Sequence, residues 1–219
     1  MRQRARQHGF GTMEALVASV VTLVVALAIL GFFDAQQRAY ATMSTYAASQ
    51  NVTRTVIDIM GREIRMSSYD PLGTALLAYP GPTCPNVEQG LAIGEQQRIQ
   101  IQQDLNNSGL IDAASENVIY RQQGDQIQRT DVFTGTTATL VENVPTNGFV
   151  IRYYDGQPVP VEIVPGGTPA ALTQAQRACV EKVQIEVEAL IDDPHPSQPD
   201  LHAVVRSAVA IRNRSILKF

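Results

Sequence analysis

The chain has 219 residues, 44% of them hydrophobic and 17% charged, with a formal net charge of −4. That length accommodates one folded domain of ordinary size with some chain to spare. The acidic balance removes nucleic acid as a default partner, and two cysteines are too few for a disulfide-built scaffold.

The chain opens on a basic leader with Arg2, Arg4 and Arg6, followed by a Gly9-Phe10 junction and then Glu14. From Ala15 to Phe33 there is no charge, and Ser19 and Thr22 are the only polar side chains. As a helix this run is about 28 Å long, close to the hydrocarbon thickness of a bilayer. A carboxylate at its entrance is costly unless something pairs with it, so Glu14 reads as a functional residue. The basic leader predicts an N-terminus on the cytoplasmic side and the bulk of the chain outside. A secretory signal peptide would end its apolar run at a small-x-small cleavage site. Here a polar, helix-compatible pattern continues instead.

These residues resemble the class III signal of type IV pilins and of the pseudopilins of type II secretion. The resemblance implies cleavage by a prepilin peptidase after Gly9. It makes Phe10 the first mature residue, N-methylated, and Glu14 the fifth. The family usually reads Gly-Phe-Thr-Leu-Ile-Glu; this chain has Gly11, Thr12 and Met13 between the aromatic and the glutamate. The resemblance also implies that Glu14 neutralises the N-terminal amine of an adjacent subunit and sets its axial register. Two opposite charges buried together cost less than either alone.

No proline occurs from Met1 to Asp70. Beyond Phe33, Val52, Val56, Ile59, Met60, Glu63 and Ile64 recur at helical spacing, with Arg54, Asp58, Arg62 and Arg65 between them. One helix is therefore expected from about Gly11 to Met66. Residues 10–33 form its membrane or filament-core half, and residues 34–66 an amphipathic half laid on a domain spanning 67–219. Gly31 is a weak point, because glycine in a helix interior costs about 1 kcal/mol against alanine. Asp70-Pro71 and Gly73 are stop signals. The stretch from Asp58 to Pro71, ending Arg-Met-Ser-Ser-Tyr-Asp-Pro, resembles the helix end of PilW-type minor pilins.

Leu76 to Gly94 is rich in proline and glycine and reads as loop. The period then changes to two. Strands are expected at 98–102, 118–122, 124–130, 139–144, 148–155, 159–164, 180–190 and 201–213, with Gln123-Gly124-Asp125 as a hairpin turn. Ala170 to Cys179 is a short helix, and Asp192 to Asp200 a proline-rich loop. Alternating Gln184, Glu186 and Glu188 against Val183, Ile185 and Val187 describes a sheet with one wet and one dry face. The fold class is α+β: a long N-terminal helix packed on an antiparallel β domain, pilin-like by resemblance. The strand order also resembles PilW and the GspJ-type pseudopilins.

Asp104-Leu-Asn-Asn-Ser-Gly-Leu-Ile-Asp112 matches the spacing of a calcium loop. Asp104, Asn106, Ser108, the Leu110 carbonyl and Asp112 take the ligand positions, and Gly109 the sharp turn. The twelfth position, which should supply a bidentate glutamate, is Ser115, with Glu116 one place late. The alternative is a polar turn between strands. Cys84 and Cys179 both fall in the exported part, where an oxidising compartment permits a disulfide; two buried or free thiols are the other possibility. No Gly-x-Ser-x-Gly elbow and no Cys/His metal spacing appears, and His195 and His202 are isolated. The chain does not read as an enzyme.

The resemblance implies a minor pilin of the inner membrane, its domain periplasmic. Its partners would be the prepilin peptidase, other minor pilins and the major pilin, and it would help initiate pilus assembly, at the tip or elsewhere. The alternatives are a GspJ-like minor pseudopilin and a membrane-anchored module that grips a surface or DNA.

Overall fold

The computed structural model describes residues 11–72, 78–79, 87–88, 90–191 and 201–211. Helix α1 runs from Thr12 to Met66 without a break, Gly31 included. Its residues up to Thr45 belong to one compact unit; Tyr46 onward belongs to a second that holds all the strands.

In the second unit, α1 buries Thr53, Val56, Ile57, Met60, Gly61 and Ile64. That spacing of three and four residues is one helical face. The face is turned slightly from the expected stripe: Val52 and Ile59 are exposed, and Thr53, Ile57 and Gly61 take their place. The small side of Gly61 lets the helix approach β11 (Leu201–Ala210) closely. A Cβ there would sit 3.3 Å from the Val209 Cγ2.

Among the described residues the strands form two main sheets and a two-stranded ribbon rather than one sheet. The first is β3 (Leu91–Gly94), β4 (Arg98–Gln102), β5 (Asn117–Gln123), β6 (Gln126–Asp131) and β7 (Thr137–Val141), in that order. The second runs β11, β10 (Lys182–Ile191), β8 (Phe149–Tyr154), β9 (Glu162–Ile163). A two-stranded ribbon pairs β1 (Ala78–Tyr79) with β2 (Val87–Glu88). All pairings are antiparallel. Three strands thus lie in the segment expected to be loop. The strand expected at 159–164 shrinks to two residues, because Pro158, Pro160 and Pro165 leave little room for a ladder. The β5–β6 hairpin turns at Gly124 and Asp125, with Gly124 at φ +64°, as a tight two-residue turn requires. Helix α2 (Gln174–Cys179) begins with a capping box between Thr173 and Gln176.

Both sheets and α1 share one core. Ile99, Ile101, Val118, Tyr120 and Ile127 come from the first sheet, Phe149, Ile151, Val183, Ile185 and Val187 from the second, and Met60 and Ile64 from the helix. Each such side chain contributes about 1.5–3 kcal/mol by leaving water.

The end of α1 is locked into the first sheet. Ser68 lies in the left-handed region at φ +68°, closing the helix. Its amide donates to the Gln102 carbonyl (3.0 Å), and its hydroxyl accepts from the Gly90 amide (2.9 Å). Gly90 packs so closely that a Cβ would fall 1.8 Å from the Ser68 nitrogen. Gly90→Ala should therefore cost about 3 kcal/mol, since backbone and not a flexible tip must move. A urea midpoint for the full chain in detergent checks this; an unchanged midpoint would show that the two segments can part freely.

Candidate functional site: the acidic entrance of the apolar helix and the loop beyond its far end

Residues 11–33 are exposed throughout, and they form the one stretch among the described residues long and apolar enough to cross a membrane. Its two polar side chains bond back to the helix: the Ser19 hydroxyl donates to the Leu16 carbonyl (2.8 Å) and the Thr22 hydroxyl to the Ala18 carbonyl (2.7 Å). Neither presents an unsatisfied group to hydrocarbon. The run is therefore apolar in its surface as well as its composition.

Glu14 stands in the first turn of α1 and is exposed. Its carboxylate accepts the Gly11 amide at 3.3 Å, one of the donors a helix start leaves open. Among the described residues it has no cationic partner. It shares its side of the helix with Met13, Val17, Ala18, Val21 and Thr22. The arrangement is a carboxylate with free acceptor capacity bordering a small-to-medium apolar face. Gly9 and Phe10, expected at the cleavage and methylation site, lie outside the described residues.

The second site is the loop between β4 and β5, which the locked end of α1 helps to place: the Asp104 amide donates to the Tyr69 carbonyl at 2.7 Å. The structure brings the expected ligand positions together. Fully buried Asp104 accepts the Ser108 amide (3.1 Å) on one oxygen and the Gly109 amide (2.9 Å) on the other. The Asp112 carboxylate accepts from the Ser108 hydroxyl (3.1 Å) and the Asn106 side-chain amide (3.3 Å). The Ser108 hydroxyl also lies 3.3 Å from the Leu110 carbonyl. Asn107 and Gly109 adopt positive φ to wrap the chain around this point.

Glu116, fully buried, holds the loop from below. One oxygen accepts the amides of Leu105 (3.0 Å) and Asn106 (3.1 Å), the other those of Asp112 (2.9 Å) and Ala113 (2.8 Å). Asp131 does the same nearby, accepting from the Ser115, Phe133 and Thr134 amides. Burial alone would raise the Asp131 pKa, but these amides and Arg129 outweigh it and hold the carboxyl below its usual range.

No family model, curated protein or solved structure matches this chain.

Calcium takes six to eight oxygens and binds tightly when a carboxylate chelates from both of its own. Here the loop offers five protein donors, two of them carboxylates; both Asp104 oxygens already accept amides, and Glu116, one place past the chelating position, is committed to four backbone amides. Such a set fits an ion at the weak end of the range. Calcium at about 10 μM should leave the melting temperature of the full chain unchanged. A rise at that concentration would show Glu116 turning from the amides to the ion.

Cys179 is disulfide-bonded, and Cys84 lies outside the described residues. His202 pairs with Glu188 across the β10–β11 ladder at 2.5 Å, on an exposed face. His195 lies outside the described residues. No group of three His, Cys, Asp or Glu side chains is placed to hold a metal ion among those described.

One cluster escaped the sequence reading. Glu63 on α1 accepts from the Tyr120 hydroxyl (2.6 Å) and from Arg129 Nη2 (2.8 Å) and Nε (3.2 Å). Burial, reinforced by Glu63, drives the Tyr120 phenol far above its usual range, so it stays a neutral donor. Burial would lower the Arg129 pKa, but Glu63 more than compensates. The available signal was a glutamate inside an apolar stripe.

Proposed function

We propose that this chain is a minor subunit of a type IV pilus-like filament, made as a single-pass inner-membrane precursor with its β domain in the periplasm. In this reading a prepilin peptidase cuts between Gly9 and Phe10 and methylates the new amine. Glu14 then pairs with the N-terminal amine of a neighbouring subunit as the apolar helices pack side by side. The supporting observation is Glu14 itself: a carboxylate with no cationic partner among the described residues, at the mouth of an exposed apolar helix. Inside an apolar bundle such a charge is tolerated only when paired and hydrogen-bonded.

Two measurements test the reading. Mass spectrometry of the native product should find a chain beginning at methylated Phe10; a product beginning at Met1 defeats the proposal. Glu14→Gln should reduce incorporation into sheared filaments by at least about tenfold, the equivalent of the 1.4 kcal/mol that a modest ion pair supplies, while membrane levels of the subunit stay constant. Equal incorporation would remove the amine-pairing role. Assaying pili and protein secretion side by side in a deletion strain separates a pilus subunit from a type II secretion pseudopilin.

A further inference from the structure

We propose that the outer face of the first sheet is a docking surface for another protein, anchored by Arg98 and Arg121 gripping an acidic side chain of that partner. The inference does not depend on the filament reading: a chain that fails the Glu14 test can still pass this one.

Arg98 on β4 and Arg121 on β5 are direct cross-strand partners. The Gln122 amide donates to the Gln97 carbonyl (3.0 Å), and the Gln103 amide to the Glu116 carbonyl (2.9 Å). These mark 97/122 and 103/116 as hydrogen-bonded pairs. By alternation, 98/121 is a non-hydrogen-bonded pair, the kind whose Cα atoms approach to about 4.5 Å and whose side chains run closest. Like charges directly opposite destabilise a sheet. Little among the described residues relieves them. Glu95 reaches Arg98 at 3.8 Å, and Arg121 has no ion pair among the described residues. The Nε groups of both arginines are buried and have no hydrogen-bond partner among the described residues. The arrangement fits a fixed pair of cations waiting for one shared anion.

The surroundings indicate a macromolecular anion. The same face carries Gln100 beside Asn117 (2.7 Å), Gln128 opposite Arg121, and Thr130 beside Thr137 (2.9 Å), all uncharged hydrogen-bonding groups, with Ile119 between Gln100 and Thr130 as an apolar member. A desolvatable arginine anchor within a neutral polar apron is the pattern of a protein interface, where charges other than arginine are depleted. The guanidinium fork suits a carboxylate geometrically. Two copies meeting symmetrically through this face would bring four guanidiniums together, which rules out that pairing; the occupant we assign is an acidic face of a different protein.

The test uses the full chain in the cells that make it. A photoreactive p-benzoylphenylalanine replaces Gln100 in one strain and Gln128 in another, and thermal melts of the purified chains confirm folding. Irradiation should yield a discrete protein adduct whose cross-linked peptide contains Asp or Glu. Arg98→Gln with Arg121→Gln should reduce that adduct at least tenfold. The proposal is overturned by no protein adduct from either position, by an adduct that persists without both arginines, by one to a second copy of this chain, or by one to lipid or nucleic acid.

Discussion

Replacing Glu63 with alanine should lower the unfolding free energy of the full chain by about 3 kcal/mol, the lower end of the range for breaking a buried pair. The low end applies because Glu63 and Arg129 retain 19% and 20% side-chain exposure. The loss has two sources. The Arg129 charge is left without its carboxylate, and the Tyr120 hydroxyl, on a fully buried residue, loses its acceptor. Adding Arg129→Ala to Glu63→Ala should cost less than the sum of the single changes, because the second removes the stranded charge. Chemical denaturation of the four proteins of this cycle measures the coupling. A single-variant loss below about 1 kcal/mol would place the pair with ordinary surface ion pairs.

The second large effect is expected at Glu116. Alanine there leaves the amides of Leu105, Asn106, Asp112 and Ala113 without their acceptor. Unpaired buried donors cost about 1–3 kcal/mol each, and partial entry of water into the opened loop brings the total to about 4 kcal/mol. Glu116→Gln keeps a single side-chain oxygen acceptor and should fall between wild type and alanine. Hydrogen exchange at these four amides is the direct readout. Unchanged protection in the alanine variant would mean that the loop is held by Asp104 and Asp112 alone.

The long helix was legible because two signals agreed: seventy residues without proline, and a stop at Asp70-Pro71. The expected start at Gly11 and end at Met66 meet the observed Thr12–Met66. Strand positions were legible wherever polar and apolar residues alternated, as in Val183 to Val187. Which strands share a sheet was not, since a period of two says which way a side chain points and nothing about its neighbour. Hence one sheet was expected where β8 turns away to join β10. Strand β3 was hidden because Gly90 and Gly94 bracket it, and each glycine is there for a close approach, to Ser68 and to Leu172. The loop from Asp104 to Asp112 was found by its spacing, but the role of Glu116 was not. A ligand template asks what faces the centre, whereas this carboxylate turns its oxygens to the backbone.

The contact between Gly61 and Val209 joins places almost 150 residues apart, and β11 supplies Ala203 and Val209 to the common core. The C-terminal strand is thus needed to cover a helix made near the beginning. A ribosome releases β11 after every other strand of the two sheets. Until it emerges, the helix face around Gly61 lacks its cover, and completion of the core must await that strand. The domain therefore passes through a stage in which part of its helix is open and adhesive.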